Sequence, residues 1–139
     1  MMKKTIIPII CLLFSLCSFS QICNYRSTSY SFKYVKENGE WAKWKKWKKS
    51  DIKLVLDFDS GIITIHSKTP QIYHIIGCLG ETKEDNGDSQ LNFHVTDIDG
   101  FHANIIIKHE VSSGDYKLFV EYSDAMWGYK IKPVLVGPN

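Results

Sequence analysis

Three tryptophans spaced three residues apart, with lysines between them, form the passage of this sequence best equipped to bind a ligand. Five lysines lie between residues 43 and 49. In an extended or bulged segment, this spacing would line the indoles along one edge. Charge combined with stacking would suit a polyanion, such as an acidic glycan or a lipid phosphate. The candidate ligand-binding residues are Trp41, Trp44, Trp47, Lys45, Lys46 and Lys48.

The same segment has a second interpretation, which we prefer. The indoles would pack against the wall of a β-barrel, and the lysines would keep an exposed strand edge from pairing with other chains. The spacing of Trp41, Trp44 and Trp47 resembles the tryptophan ladder of thrombospondin type 1 repeats. That resemblance covers these residues only and lacks the family's cysteines.

His94 and His102 are the other residues whose spacing could bring two ligand atoms together. We predict that they are diagonal neighbours on the outward face of a hairpin, near Asp97 or Asp99, where a metal ion could bind. Histidines on a solvent-facing surface are more often simply solvated, so we predict neither a metal site nor a cofactor. The sequence also lacks nucleophile-elbow, zinc-protease and phosphate-loop signatures. We therefore predict no catalytic residues and a protein that is not an enzyme.

Residues 1–20 have the layout of a secretory signal peptide. A short basic start precedes an apolar run over residues 5–19, and small residues stand at the end of the segment. The run is shorter than the ~20 residues of a membrane-spanning helix. We therefore predict cleavage, export to the periplasm or the medium, and no transmembrane segment in the mature chain. The predicted mature protein is a single β-barrel domain of residues 21–139.

Cleavage would change both the charge and the cysteine content. The whole chain has 17 basic and 15 acidic residues and a net charge of +2. Without Lys3 and Lys4 the counts become 15 and 15, so we do not expect nucleic acid as a partner. Cys23 and Cys78 remain after cleavage. An oxidising compartment permits a disulfide between them, and the alternative is two unpaired residues.

Alternating apolar residues separated by strong turn signals predict strands joined as hairpins. Turns of two residues at Ser60-Gly61 and Ser113-Gly114, and of three residues at 98–100, let both strands of each hairpin bury the same face. The predicted registers place Phe58 opposite Ile63, Leu56 opposite Ile65, Val95 opposite Ala103, Phe93 opposite Ile105, Val111 opposite Tyr116 and Ile107 opposite Val120. The segment 71–79 is apolar on both faces and cannot be oriented, and 81–89 is predicted to be an acidic surface loop.

Eight or nine short strands joined in sequence predict an all-β protein with an antiparallel up-and-down meander. Such a sheet must close or fold over to bury one face and protect its edges. A small barrel that resembles the lipocalins in architecture is the preferred fold, and a two-layer β-sandwich is the alternative. The signal peptide followed by Gln21 also resembles small secreted β-proteins of the Bacteroidetes. That resemblance implies export and a β-rich fold, with no residue roles.

The predicted registers turn ten aromatic side chains toward the interior. In a small barrel these rings fill the interior, whereas in a wider one they line a cavity in which tyrosine hydroxyls orient a ligand. We predict a filled interior. The ten residues are Tyr30, Phe32, Tyr34, Phe58, Phe93, Phe101, Tyr116, Tyr122, Trp127 and Tyr129.

These observations favour an exported, non-catalytic binding protein. Its partner would be an apolar small molecule held inside or another molecule bound at the surface. One alternative is an inhibitor or immunity-type protein that caps a secreted enzyme through the loop 81–89. The other is a polyanion binder that uses the tryptophan and lysine segment.

Overall fold

Eight antiparallel strands follow one another around a closed barrel, each pairing with its neighbours in the sequence and β8 pairing with β1. The structure is a computed structural model that describes residues 22–134. The strands are β1 (Ile22–Tyr34), β2 (Lys48–Asp57), β3 (Ile62–His66), β4 (Gln71–Lys83), β5 (Ser89–Asp97), β6 (His102–His109), β7 (Tyr116–Glu121) and β8 (Ala125–Pro133). The predicted all-β up-and-down barrel is confirmed. The predicted signal peptide, residues 1–20, lies outside the described residues.

Alternation of apolar and polar residues along the strands builds the core. Leu54 and Leu56 on β2, like Ile105 and Ile107 on β6, are completely buried, while their neighbours in the sequence are more exposed. Burying each such side chain contributes about 1.5–3 kcal/mol to folding. The middle of the barrel is therefore filled with side chains, as predicted, and hydrophobic burial is the main force that closes the sheet.

The β5–β6 hairpin has the predicted register, with Val95 opposite Ala103. Its loop is set by Asp97, whose Oδ1 accepts hydrogen bonds from the backbone N–H groups of Asp99 and Phe101 at 3.0 and 2.9 Å. Gly100 takes the predicted positive φ of 87°. The side chain that begins the turn and the glycine that ends it thus specify the loop together.

The β2–β3 register was predicted wrongly by two residues. Leu56 lies opposite Ile63 rather than Ile65, so the loop spans four residues, 58–61. The side chain of Asp57 explains the longer loop, because its two carboxylate oxygens accept hydrogen bonds from the N–H and the Oγ of Ser60 at 3.1 and 2.9 Å. A shift of two residues leaves every side chain on its predicted face.

The β6–β7 register differs from the prediction by the same amount. Tyr116 lies opposite His109 rather than Val111, and Ile107 lies opposite Leu118. Val111 leaves the ladder because its N–H donates a hydrogen bond of 2.9 Å to Oδ1 of Asp88, in the β4–β5 loop. One buried carboxylate therefore ties two loops together at this end of the barrel.

Two irregularities in β4 explain why its sequence pattern could not be oriented. The pairing with β5 shifts between Ile75 and Gly77 and again between Cys78 and Gly80. The residues within these bulges, Ile76 and Leu79, are 52% and 68% exposed. Each bulge inserts one residue and inverts the alternation. β4 also continues to Lys83, so the predicted loop 81–89 is reduced to the residues between Lys83 and Ser89.

Aromatic side chains pack around the end of the barrel that carries the β2–β3 loop. Phe58, from that loop, contacts Phe93 with ring centroids 5.6 Å apart, and Tyr25 contacts Tyr116 at 6.1 Å.

The described part of the chain, residues 22–134, contains no helix that could span a lipid bilayer.

Candidate functional site

The loops that join β3 to β4, β5 to β6 and β7 to β8 lie at one end of the barrel, as the up-and-down topology requires. Side chains from these loops and from the adjoining strand ends line an open cavity of about 710 Å³. We call this cavity the mouth, and define it by residues 67–73, 97–101 and 122–127. Its volume lies within the range of about 300–1,000 Å³ that small-molecule sites occupy.

The floor of the mouth is polar and hydrogen-bonded. Tyr122 Oη donates to Oδ2 of Asp97 at 2.8 Å, and Tyr73 Oη donates to Oε1 of Gln71 at 2.7 Å. Because Asp97 also accepts the two backbone N–H groups of the β5–β6 loop, its carboxylate is fixed in position. The floor is therefore a pre-formed set of polar atoms at the top of an apolar core.

The environment holds these groups in defined protonation states. Desolvation by burial raises the pKa of the Tyr73 hydroxyl well above its ordinary value. Burial, reinforced by the hydrogen bond to Asp97, raises the pKa of Tyr122 to about 12. Desolvation tends to raise the pKa of Asp97, but the hydrogen bonds from Tyr122, Phe101 and Asp99 outweigh it and lower that pKa. At neutral pH both tyrosines are protonated and Asp97 is a carboxylate.

Apolar side chains stand above the polar floor. Ile98 and Phe101 are 67% and 66% exposed at the rim. Trp127 also lines the mouth, and its ring stacks on Phe32 at 6.1 Å and meets Tyr122 edge-on at 6.0 Å. The mouth thus combines an apolar rim with convergent polar groups, as small-molecule sites do.

The prediction that ten aromatic side chains point inward was wrong for three of them. Phe101, Phe32 and Tyr34 are 66%, 37% and 42% exposed. All three lie beyond the filled part of the barrel, near or past the ends of their strands, so alternation continues where there is no interior left to face. The other seven residues belong to the core or pack against it.

The three tryptophans follow the second, structural interpretation in their placement. The segment that carries them runs beside β1, with Trp41 bridging Val35 and the Lys45 N–H donating to the carbonyl of Phe32 at 2.9 Å. Trp44 contacts Trp47 with ring centroids 5.7 Å apart and contacts Phe119 on β7 at the same distance. We call the rings of Trp44, Trp47 and Phe119, together with Gly128 beneath them, the outer cluster.

Cation–π contacts are present, although the lysines between the tryptophans do not make those on the indoles. Lys33 lies 5.1 Å from the ring of Trp41 and 4.8 Å from that of Trp44, and Lys130 lies 4.8 Å from Trp47. The interleaved Lys45 lies over Tyr34 instead, at 5.2 Å. All five interleaved lysines are exposed, namely Lys43, Lys45, Lys46, Lys48 and Lys49.

The two histidines lie together on the outer face of the β5–β6 hairpin, in the predicted register. Their ring centroids are 5.7 Å apart, and His94 Nδ1 lies 2.8 Å from Oδ1 of Asn104. Both rings line a shallow groove that Trp41 also borders. Among residues 22–134, no three histidine, cysteine or acidic side chains come close enough together to hold a metal ion.

The disulfide considered for Cys23 and Cys78 is not formed, because Cys78 is a free cysteine. Cys23 lies on β1 opposite Leu56, whereas Cys78 lies on β4 opposite Phe93. β2 and β3 separate the two strands, and neighbouring strands are about 4.8 Å apart. Cys23 and Cys78 are therefore three strand spacings apart around the sheet, farther than the Cα distance of about 7 Å beyond which a bridge cannot form.

Sequence reasoning did not single out the mouth as a site. The sequence predicts Tyr122 as one of ten inward rings, and it places Asp97 in a turn near the two histidines. Tyr73 and Gln71 fell in the segment that could not be oriented. Their convergence depends on which loops meet at one end of the closed barrel, and pairwise hairpin registers do not contain that information.

The fold and the mouth define a closed up-and-down β-barrel with a filled middle and a cavity at one end. Comparisons of the chain with protein-family models, curated proteins and solved structures found no match.

Proposed function

We propose that this protein is an exported, non-catalytic barrel that binds a small amphipathic molecule at its mouth. The observation that carries the proposal is the pairing of a fixed polar floor with an exposed aromatic and aliphatic rim around one cavity. The polar group of the ligand would reach Asp97 and the two tyrosines, and its apolar part would cover Phe101 and Ile98. Export is supported by the signal-peptide pattern of the sequence.

The non-catalytic part of the proposal is supported by the chemistry of the lining. The mouth contains carboxylates, hydroxyls and one lysine, and neither a histidine nor a cysteine lines it. Tyr73 and Tyr122, with raised pKa values, are poor proton donors and poor nucleophiles near neutral pH. These groups can orient a ligand through hydrogen bonds.

Native mass spectrometry of protein purified from its own periplasm or culture medium tests the proposal. We expect a small molecule to co-purify at one copy per barrel. Phe101→Ser should raise the dissociation constant about tenfold or more, since it removes a ring that would bury apolar ligand surface. Leu79→Ser is the matched control, because Leu79 is 68% exposed on a β4 bulge outside the mouth. Equal binding by both variants would remove the mouth as the site.

A second candidate function, polyanion binding, is favoured by the exposure of all five lysines interleaved with the tryptophans. Trp44 and Trp47 hold this segment against the barrel wall, and its lysine side chains are left exposed to solvent. Lys46→Glu combined with Lys49→Glu should lower the salt concentration at which the protein leaves a heparin column. Lys83 is exposed at the end of β4, away from the tryptophan segment, and Lys83→Glu is the control substitution. Unchanged elution of the double variant would exclude this candidate.

A further inference from the structure

The mouth is acidic, although the whole chain carries a net positive charge. Its lining contains three carboxylates, those of Asp97, Asp99 and Asp124, against one ammonium group, that of Lys68. The five lysines at positions 43–49 lie outside this lining. Asp99 and Asp124 are exposed and Asp97 is half-buried. An excess of negative charge around an open cavity attracts cations and repels anions, and added salt weakens the effect.

Hydrogen bonding at the floor points in the same direction. Each tyrosine hydroxyl has a single proton, and the structure assigns both to internal acceptors: Tyr122 donates to Asp97, and Tyr73 donates to Gln71. The two hydroxyls also interact with each other. Beside Asp97, the floor offers a ligand the remaining lone pair of Oδ2 and the lone pairs of the hydroxyl oxygens that these contacts leave over. The Nε2 of Gln71 has its own acceptor, Ser67 Oγ, at 3.4 Å. At Asp97 and at the two tyrosine hydroxyl oxygens, a ligand group would therefore act as the hydrogen-bond donor.

From this charge and this donor count, and resting on the proposed function, we infer that the ligand is a cationic amphiphile whose protonated amine sits on the floor beside Asp97. An ammonium group supplies both the positive charge and several N–H donors. The rings of Trp127 and Phe101 border the same cavity and provide faces for a cation–π contact or for an adjoining apolar body. Asp97 stays ionised near neutral pH because its hydrogen bonds lower its pKa.

Three probes with one ring system and different polar ends test the inference by isothermal titration calorimetry at pH 7. They are an amine, 2-(2-naphthyl)ethylamine, an alcohol, 2-(2-naphthyl)ethanol, and a carboxylate, 2-naphthaleneacetate. We expect the amine to bind about tenfold or more tightly than the alcohol, because a charge-assisted hydrogen bond replaces a neutral one. The carboxylate should bind most weakly. The preference for the amine should shrink as salt is added.

Asp97→Asn should reduce the ratio of amine to alcohol affinity toward one, since it removes the charge while keeping an oxygen for the backbone N–H groups of the loop. Asp124→Asn is a second variant at the rim, and its ratio should also fall. Asp85→Asn changes an exposed carboxylate of the β4–β5 loop outside the mouth and should leave the ratio unchanged. Circular dichroism melts of each variant report whether the barrel is folded.

The outcomes separate the inference from the proposed function. If the alcohol or the carboxylate binds as tightly as the amine, the inference is wrong while the mouth remains a binding site. An amine preference that survives in both Asp97→Asn and Asp124→Asn would also overturn it. If none of the three probes binds and no molecule co-purifies, the proposed function fails and the inference fails with it.

Discussion

Replacing Gly128 with alanine should destabilise the protein, because the outer cluster leaves no room for a methyl group. A Cβ at this position would lie 3.1 Å from the Cη2 atom of Trp44 and 3.1 Å from that of Trp47. It would also lie 3.2 Å from Cε1 of Phe119. Three rings would have to move by a few tenths of an ångström, and they already contact one another, so they cannot all move freely.

Two opposing effects set the magnitude. Alanine restricts the unfolded chain more than glycine does, which stabilises a folded protein by about 0.4–1 kcal/mol where the backbone accepts it. Overpacking a filled site costs about 1–3 kcal/mol. The net expectation for Gly128→Ala is a loss of about 1 kcal/mol, or about 4 °C in Tm for a chain of this size.

Gly77→Ala is a matched control in β4. Its added Cβ would meet only the Cβ of His94, at 3.8 Å, which is an ordinary contact, so the entropic term should dominate and Tm should stay the same or rise. Urea denaturation of both variants measures the difference. If the two variants have the same free energy of unfolding, the indoles of Trp44 and Trp47 do not pack on Gly128. The tryptophan segment would then be a free binding surface.

A double-mutant cycle gives the same prediction an independent test. Trp44→Ala should cost about 2 kcal/mol, since it removes a half-buried ring from the outer cluster. Because it also vacates space above Gly128, the additional cost of Gly128→Ala in that background should fall, giving a coupling energy of about 0.5 kcal/mol or more. Additive effects would contradict direct contact between the two residues.

Three further predictions concern titration and loop anchoring. The pKa of Asp97 lies below its ordinary value of 3.8, so its stabilising effect is present above that pH and is lost as pH falls through the folded pKa; acid unfolding of Asp97→Asn should lack this component. Five of the seven tyrosines have raised pKa values, namely Tyr25, Tyr73, Tyr116, Tyr122 and Tyr129. Absorbance at 295 nm should therefore show less tyrosine ionisation at pH 10 in the folded protein than in the unfolded one, and Tyr122 should titrate near 12. Asp88→Ala should cost about 1–3 kcal/mol in urea denaturation, because it leaves the N–H of Val111 without its acceptor.

Periodicity was enough to predict the barrel because the side chains of each strand alternate between core and outer face. The exact register followed only where the turn was specified by its own residues, as at Asp97 and Gly100. At Asp57 a side chain lengthened the turn, and Asp88 drew Val111 out of the β6–β7 ladder from a distant loop. Both effects shift pairing by two residues, which preserves the buried face and is invisible to an alternation pattern.

The candidate site was less accessible to sequence reasoning, for a physical reason. Tyr122, just after β7, is far in sequence from Asp97, at the end of β5, and its hydroxyl reaches Asp97 only where the folded sheet brings their loops to one end. Tyr73 bonds Gln71, two residues away on β4, so that contact needs only the strand itself. Alternation assigns Tyr122 to the interior in the same way as the core residues Phe93 and Tyr129, and it does not orient Tyr73, which lies in the segment 71–79. What distinguishes Tyr73 and Tyr122 is height along the barrel axis, which depends on strand tilt and stagger.

The lysines of the tryptophan segment and the carboxylates of the mouth form two separate groups of opposite charge. The basic residues of the tryptophan segment lie on the outer wall, where Lys33 and Lys130 also engage the indoles, while Asp97 and Asp124 line the mouth. A ligand attracted to one surface would be repelled by the other, so one molecule cannot satisfy both candidate functions. Once the direct ion pairing of 2-(2-naphthyl)ethylamine with heparin has been measured without protein and subtracted, the two should not compete for the protein. If the two displace each other, the mouth and the outer wall are not independent, and the assignment of the amine to Asp97 loses its basis.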